Sequence, residues 1–227
     1  MIAAHPDDEV LGCGGSMAKW IEEGNEVHIL IMAEGATSRS KQRNRKSHSK
    51  KLSILAESVK RAAEILGVKS VKMLDYPDNR MDSLDLLDVV KSIEEVIEKL
   101  KPEMVVTHYA GDLNIDHQII HHAVVTACRP QPGFYVKRIL SFEVPSATEW
   151  NSHTVSKPFT PNWFEDISKT LEIKIAALEE YESEMRKWPH PRSIKGVKNL
   201  ARWRGASVGF DAAEAFVLIR ELKPIAS

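Results

Sequence analysis

The stretch AAHPDDEV, residues 3–10, sets one imidazole and three consecutive carboxylates around a proline, directly after a scrap of apolar chain. Like charges this close repel, and a divalent metal ion is the counter-charge that would offset them. Catalytic zinc takes about three protein ligands from His, Asp, Glu and Cys and keeps a position for water. His5 and Asp8 supply two of these if the chain turns sharply, with Pro6 stiffening the turn. The third must come from elsewhere. DLNIDHQIIHH at 112–122 offers His117 at the start of a helix, directly after Asp116. Asp7 is then left beside the attacking water as a general base. Taken alone, HPDD is also a turn with exposed acids, and Asp before a helix is an ordinary N-cap. Only the two motifs together make a metal site. His117 and His121 have the i, i+4 spacing of a helical metal clamp. The set His5, Asp8 and His117 is already complete, so His121 and His122 are read as helix-packing residues.

Two motifs this far apart meet only if the fold brings two strand ends together. Met1–Ala4 reads as the last residues of a strand, which a typical length of about 5–6 residues would extend upstream of Met1. Residues 11–23 follow in a helical pattern, with Met17, Trp20 and Ile21 on one face and Gly24 as the stop. EVHILIM at 26–32 is a buried strand. A polar loop, 34–48, leads to a helix over 49–66. Residues 71–74 form a third strand, 83–100 a helix capped by Asp82 or Ser83, and 104–107 a fourth strand. Strand and helix alternate, which predicts βαβ units in an α/β fold: a mostly parallel, doubly wound sheet with helices on both faces. Sites in such sheets lie at the carboxyl ends of strands. HPDDE, the 34–48 loop and HYAGDLNIDH all emerge there. Further on, 138–144 and 215–219 read as strands, and 167–181 and 196–205 as helices. No internal repeat or long linker divides the chain, so residues 1–227 are expected to form one domain.

The totals narrow the class. A net charge of −1 gives no general attraction to nucleic acid or to an anionic membrane. No apolar run approaches the ~18 residues of a membrane span, and no basic-then-apolar signal opens the chain. Cys13 and Cys128 lie far apart and outside any C-x-x-C pattern, which argues against a disulfide scaffold or a thiolate zinc site. A cytoplasmic enzyme with a small-molecule substrate is the expectation.

AAHPDDEVLGCGG followed by DLNIDH resembles the LmbE-like, or PIG-L-like, zinc-dependent de-N-acetylases. YPDNRMD at 76–82, KIAALEEYESEM at 174–185, PHPRS at 189–193 and RGASVGFDAAEAF at 204–216 extend the similarity along the chain. The resemblance implies a Rossmann-like fold and one Zn2+ per chain. It implies hydrolysis of an acetamide on an N-acetylglucosamine-type sugar or sugar conjugate, releasing acetate and a free amine. His5, Asp8 and His117 would be the zinc ligands and Asp7 the base. Asp116 matches an acid that orients a nearby catalytic histidine.

Many relatives carry H-P-D-H where this chain has Asn114-Ile115-Asp116-His117. Asn114 can donate a hydrogen bond but has no proton to give a departing amine. His190 of PHPRS is the candidate for that acid, from its own chain or from a neighbouring copy in a homo-oligomer. Arg192 beside it could hold an anionic group or the chain itself. Arg80 of YPDNRMD matches a region where relatives touch substrate; its plainer role is an ion pair with Asp78 or Asp82.

RSKQRNRKSHSKK at 39–51 holds seven Lys/Arg and no acid. It reads as a lid that attracts a phosphate-bearing sugar or, more plainly, as a solvated loop running into a helix. Trp150, Trp163 and Trp188 could stack on a sugar or pack in the core. Two other functions fit part of the pattern. A metal-dependent phosphoesterase would usually use two metals and more ligands. A silent carbohydrate-binding protein with a structural metal would have no use for Asp7.

Overall fold

HILIMA, strand β2 (His28–Ala33), is apolar beyond its first residue because both of its faces are covered. Ile29 and Ile31 join one core and Leu30 and Met32 the other, as the two-residue period of a strand requires. The computed structural model describes residues 1–38, 43–133, 135–152, 154 and 157–223. In it, β1 (Ile2–Ala3), β2 and β3 (Ser70–Tyr76) form a parallel ladder in that order. A second ladder runs β4-β5-β7-β6, from β4 (Met104–His108) and β5 (Arg138–Phe142) to β7 (Ala213–Glu221) and β6 (Trp163–Asp166). β4 and β5 are parallel, whereas β7 runs antiparallel to both its neighbours. β1 and β4 lie side by side, and the Ala4 N–H donates to His108 Nε2 at 2.7 Å across their carboxyl ends.

Helices α1 (Asp8–Glu22), α2 (Ser49–Leu66) and α5 (Leu171–Glu179) pack against one another on one face. Helices α3 (Leu86–Leu100) and α4 (Ile115–Ala127) cover the other, and α6 (Ile194–Ala206) packs on β6 and β7. This is the doubly wound α/β frame that the alternating pattern predicts. Its antiparallel edge is the difference: β6 follows a proline-broken stretch and shows no strand signal of its own.

Helix α1 begins at Asp8, earlier than the expected residue 11, because acids in the first turn of a helix face its positive end. The helix is then interrupted at Cys13, whose φ of −149° is not helical. The break frees the Gly15 and Ser16 N–H groups, and both donate to the buried Glu214 carboxylate, at 3.0 and 2.6 Å. Lys174 Nζ donates to the Leu11 carbonyl at 2.8 Å and to Glu214 at 2.5 Å. Lys174 opens KIAALEEYESEM and Glu214 lies in RGASVGFDAAEAF, so these late motifs tie down the helix that follows HPDDE. Gly12 is required on the same helix, since a Cβ there would stand 2.1 Å from the Phe142 ring.

Two further boundaries differ from the sequence reading. A 3-10 turn occupies Met81–Ser83 and α3 starts only at Leu86, so neither Asp82 nor Ser83 caps it; Asp85 stands at the cap position. Met81 is buried and fixes that turn instead. His121 packs as expected, donating from Nδ1 to the His108 carbonyl at 2.8 Å. His122 is exposed, because one further helical residue rotates the side chain by about 100°.

Candidate active site

Three chain turns meet at the carboxyl ends of β1, β3 and β4. The first carries His5 and Asp8, the last carries His117 at the third position of α4. His5 Nδ1 lies 3.1 Å from Asp8 Oδ2, and His117 Nε2 lies 3.1 Å from the same oxygen. The two imidazole nitrogens are 3.4 Å apart. Donor atoms about 2.1 Å from a tetrahedral zinc ion stand about 3.4 Å from one another. The three ligand atoms therefore already have close to the spacing a metal needs. Asp8 Oδ1 is buried with no hydrogen-bond partner, which fits a carboxylate placed for a cation.

The outward nitrogen of each imidazole meets an acid. His5 Nε2 is hydrogen-bonded to Asp116 Oδ2 at 2.9 Å, and His117 Nδ1 is 3.2 Å from Asp112 Oδ1, an ion-pair distance without hydrogen-bond alignment. Carboxylates in this position fix the ring and strengthen it as a ligand. Asp116 is itself held by the Asn79 and Met81 N–H groups, at 2.7 and 3.0 Å. His108 stacks on His117 with ring centroids 3.9 Å apart. A second group of possible ligands, His5, Asp78 and Asp116, uses the other face of His5. Its acids already accept backbone N–H groups: Thr37 and Ser38 donate to Asp78, each at 3.1 Å. Asp8 also accepts one, the His5 N–H on Oδ2 at 3.0 Å, but its Oδ1 has no hydrogen-bond partner among the described residues, and the set with His117 is the better fit.

The three adjacent acids separate. Asp8 takes the imidazoles. Asp7 Oδ2 accepts from Arg192 Nη1 at 2.7 Å. Glu9 turns away, accepting from the Asp7 N–H at 3.1 Å and from the Tyr181 hydroxyl. The sequence reading gave one metal ion the task of balancing all three; here each has its own partner. Asp7 has a φ of 96°, which costs a non-glycine residue about 1–3 kcal/mol.

A cleft of about 530 Å³ opens beside this turn, lined among others by His5, Asp7, Asn79, Asn114, Glu184 and Arg192. Asn114 caps α4: its Oδ1 accepts from the Asp116 N–H and its Nδ2 donates to Asn79, both at 2.9 Å. One N–H of that amide is left for a ligand. His190 does not line the cleft. Its Nδ1 accepts the Arg192 N–H at 3.1 Å, and its ring meets the edge of Trp150, with centroids 5.4 Å apart. Arg80 leads the 3-10 turn and does not line the cleft either; its neighbour Asn79 does. Of the basic segment, residues 39–42 lie outside the described residues. Residues 43–47 are an exposed loop running into α2, as the plainer reading expected, but Arg43 and Arg45 are anchored in it: both bind the buried Glu34 carboxylate, each through Nε at 2.9 Å. Lys51 lines the cleft.

A family model described as PIG-L, GlcNAc-PI de-N-acetylase, matches residues 1–128. The chain belongs to this family. An uncharacterized deacetylase, YaiS, of Escherichia coli K12 is 30% identical over 80% of this chain and 89% of its own. A diacetylchitobiose deacetylase of Thermococcus kodakarensis is 30% identical over 81% of this chain and 68% of its own. The 4-carboxy-2-hydroxymuconate hydratase of Pseudomonas putida KT2440 superposes with a TM-score of 0.74 at 22% identity, covering 99% of this chain and 98% of its own. That likeness is one of fold, and a fold hosts more than one chemistry.

Charge in this PIG-L site is steeply ordered. Burial would raise the Asp8 pKa, but His117, His5 and His108 bring it well below the ordinary carboxylate range. Burial would lower His117, yet Asp8 and Asp112 raise it to about 9. Such protons must leave when a metal binds, so metal affinity weakens as the pH is lowered. Asp7 behaves oppositely: burial pushes it well above the carboxylate range and Arg192 only partly opposes this. Burial and His117 hold His108 well below its usual value.

Asp112, His108 and Asp78 are the site residues that sequence reasoning missed. His108 hides as the polar end of an apolar strand, and Asp78 reads as a partner for Arg80. Asp112 carried a usable signal, an acid five residues before a ligand histidine.

Proposed function

We propose that this protein is a zinc-dependent amidohydrolase that removes the N-acetyl group from an N-acetylglucosamine-type sugar or sugar conjugate. The observation that carries the reading is the convergence of His5 Nδ1, Asp8 Oδ2 and His117 Nε2 beside an Asp7 that lines the cleft. Family membership and two deacetylase relatives support the reaction class. The cleft falls within the roughly 300–1,000 Å³ of small-molecule sites.

Zinc held by His5, Asp8 and His117 would act as a Lewis acid on the acetamide carbonyl and lower the pKa of water towards about 7. Asp7 takes the proton of the attacking water. Arg192 aims the Asp7 carboxylate and favours its ionised form, while burial, the larger effect, raises its affinity for the proton. A raised pKa suits the next task as well, returning that proton to the departing nitrogen. His190 is then a residue of the loop that seats Arg192, and the free N–H of Asn114 faces the substrate. Asp116 and Asp112 orient the two imidazoles. This reading draws every catalytic group from one chain.

We also read residues 1–227 as one domain, since the core that contains Val10 of α1 also contains Val197 of α6 and Phe216 of β7. Among the described residues no helix is long and apolar enough to cross a membrane. Two buried free thiols, Cys13 and Cys128, are in keeping with the cytoplasm.

Acetate release from free, phosphorylated, nucleotide-linked and lipid-linked N-acetyl sugars, with and without a chelator, tests the function. Chelator-sensitive release from at least one is expected. No release from any by zinc-loaded protein, or water addition to an unsaturated acid in its place, would overturn it.

A further inference from the structure

Glu9 is the acid of the HPDDE turn that the proposed reaction leaves idle. It is 1% exposed, and neither it nor Tyr181 lines the cleft. A buried carboxylate needs partners to be tolerated. Glu9 has two: the Asp7 N–H on Oε2 at 3.1 Å and the Tyr181 hydroxyl on Oε1. Tyr181 is itself fully buried, so its hydroxyl has a fixed direction. The other end of this chain is the strained residue. Asp7 combines φ 96° with ψ −30°, outside the region that L residues favour. Backbone torsion sets where a Cβ points, so the reach of the Asp7 carboxylate follows from that conformation. Four hydrogen bonds hold it: Arg192 on the carboxylate, the Val10 and Leu11 N–H groups on the backbone carbonyl at 3.1 and 2.9 Å, as the start of α1 requires, and Glu9 on the backbone N–H, the one of the four made by a buried side chain to the Asp7 backbone.

We propose that Glu9 and Tyr181 are positioning residues, a buried acid–phenol pair that locks the Asp7 backbone and thereby aims the base. The proposal rests on Asp7 being the base. It assigns a task to Tyr181 in KIAALEEYESEM, which lies far from the turn in sequence and packs beneath it in the fold. It also explains why an acid follows Asp8 without serving as a ligand.

The test compares Glu9→Leu, Glu9→Gln and Tyr181→Phe in the zinc-loaded protein, each alone and combined with Asp7→Asn. kcat, KM, zinc content and hydrogen exchange of the Asp7 amide are measured. Glu9→Leu should lower kcat about 10²-fold, the cost of a base displaced by about 1 Å. KM and zinc content should hold, and the Asp7 amide should exchange faster. Glu9→Gln should restore most of the rate, because its oxygen can accept the Asp7 N–H and its NH2 can donate to Tyr181. In the Asp7→Asn background, Glu9→Leu should cost nothing more, as expected of residues that act as a unit. Full kcat in Glu9→Leu, or the same fold-loss with and without Asp7→Asn, would overturn the proposal. If Glu9→Leu does not fold, Tyr181→Phe carries the same comparison with a smaller loss. If Asp7→Asn alone keeps full activity, the base assignment fails. Exchange at the Asp7 amide then still decides whether Glu9 holds that backbone.

Discussion

The turn after β1 and the segment after β2 leave neighbouring parallel strands at the same edge of the sheet. In sequence both are dense charge clusters, one acidic and one basic. In the fold they differ in whether the charge is spent. Arg43 and Arg45 close on Glu34, and Arg45 also reaches Asp75. The Thr37 hydroxyl adds a further bond to Glu34 at 2.7 Å. Those two arginines are neutralised there, and neither they nor Glu34 line the cleft. Among the described residues the acidic turn leaves one oxygen of Asp8 without a hydrogen bond, Arg192 Nη2 standing 3.9 Å off, and leaves Asp7 on the cleft wall, its carboxylate held by the same arginine. Chemistry is expected where the fold leaves charge uncompensated, not where the sequence has most of it.

Asp7→Asn should break the comparison most severely. The amide keeps the shape and leaves the ligand set alone, so zinc content should hold. kcat should fall by about 10²–10⁴-fold, the usual worth of a general base. Retained activity with retained zinc would move the base elsewhere.

Arg192→Met should come next and is read from a pH profile. Asp7 must be ionised to take a proton, so the rate falls as pH drops through its pKa. Burial has already raised that pKa, and Arg192 holds it down. Removing the guanidinium raises it further, so the acid limb of kcat/KM should move to higher pH. An unmoved limb would mean that the 2.7 Å contact carries no electrostatic coupling.

The smallest effect on catalysis is expected from Arg43→Ser, Arg45→Ser and Lys46→Ser together. Glu34 would lose its cations, at a cost of roughly 1–3 kcal/mol read in a denaturant melt. KM for neutral and phosphorylated sugars should change alike. A KM rise confined to the phosphorylated substrate, shrinking with salt, would restore the lid reading.

Legibility in the sequence followed locality. The meeting of His5, Asp8 and His117 was readable because residue type and strand-end position together constrain which side chains can converge. The βαβ order was readable from alternating periods in segments such as 26–32 and 49–66. Long-range partners were not. His108 and Glu214 act through stacking or through residues distant in the chain, and no local spacing records that; Asp112, five residues before His117, did leave a local trace. Among the described residues β6 pairs with β7 alone, and it has no pattern of its own. His190 and Arg80 carried the right chemistry, but neither lines the cleft. Side-chain direction in a loop is set by packing that the sequence does not display. The charge balance of HPDDE was sought in one ion because Arg192 and Tyr181 enter from far along the chain.

The central claim is which atoms hold the metal. Anomalous diffraction at the zinc edge, from crystals of zinc-loaded protein, reads this directly. The account predicts one peak per chain, among His5 Nδ1, Asp8 Oδ2 and His117 Nε2, with Asp7 outside the ligand set, and no such peak in His117→Ala. A peak between His5 Nε2, Asp78 and Asp116, or one that survives His117→Ala, would contradict it.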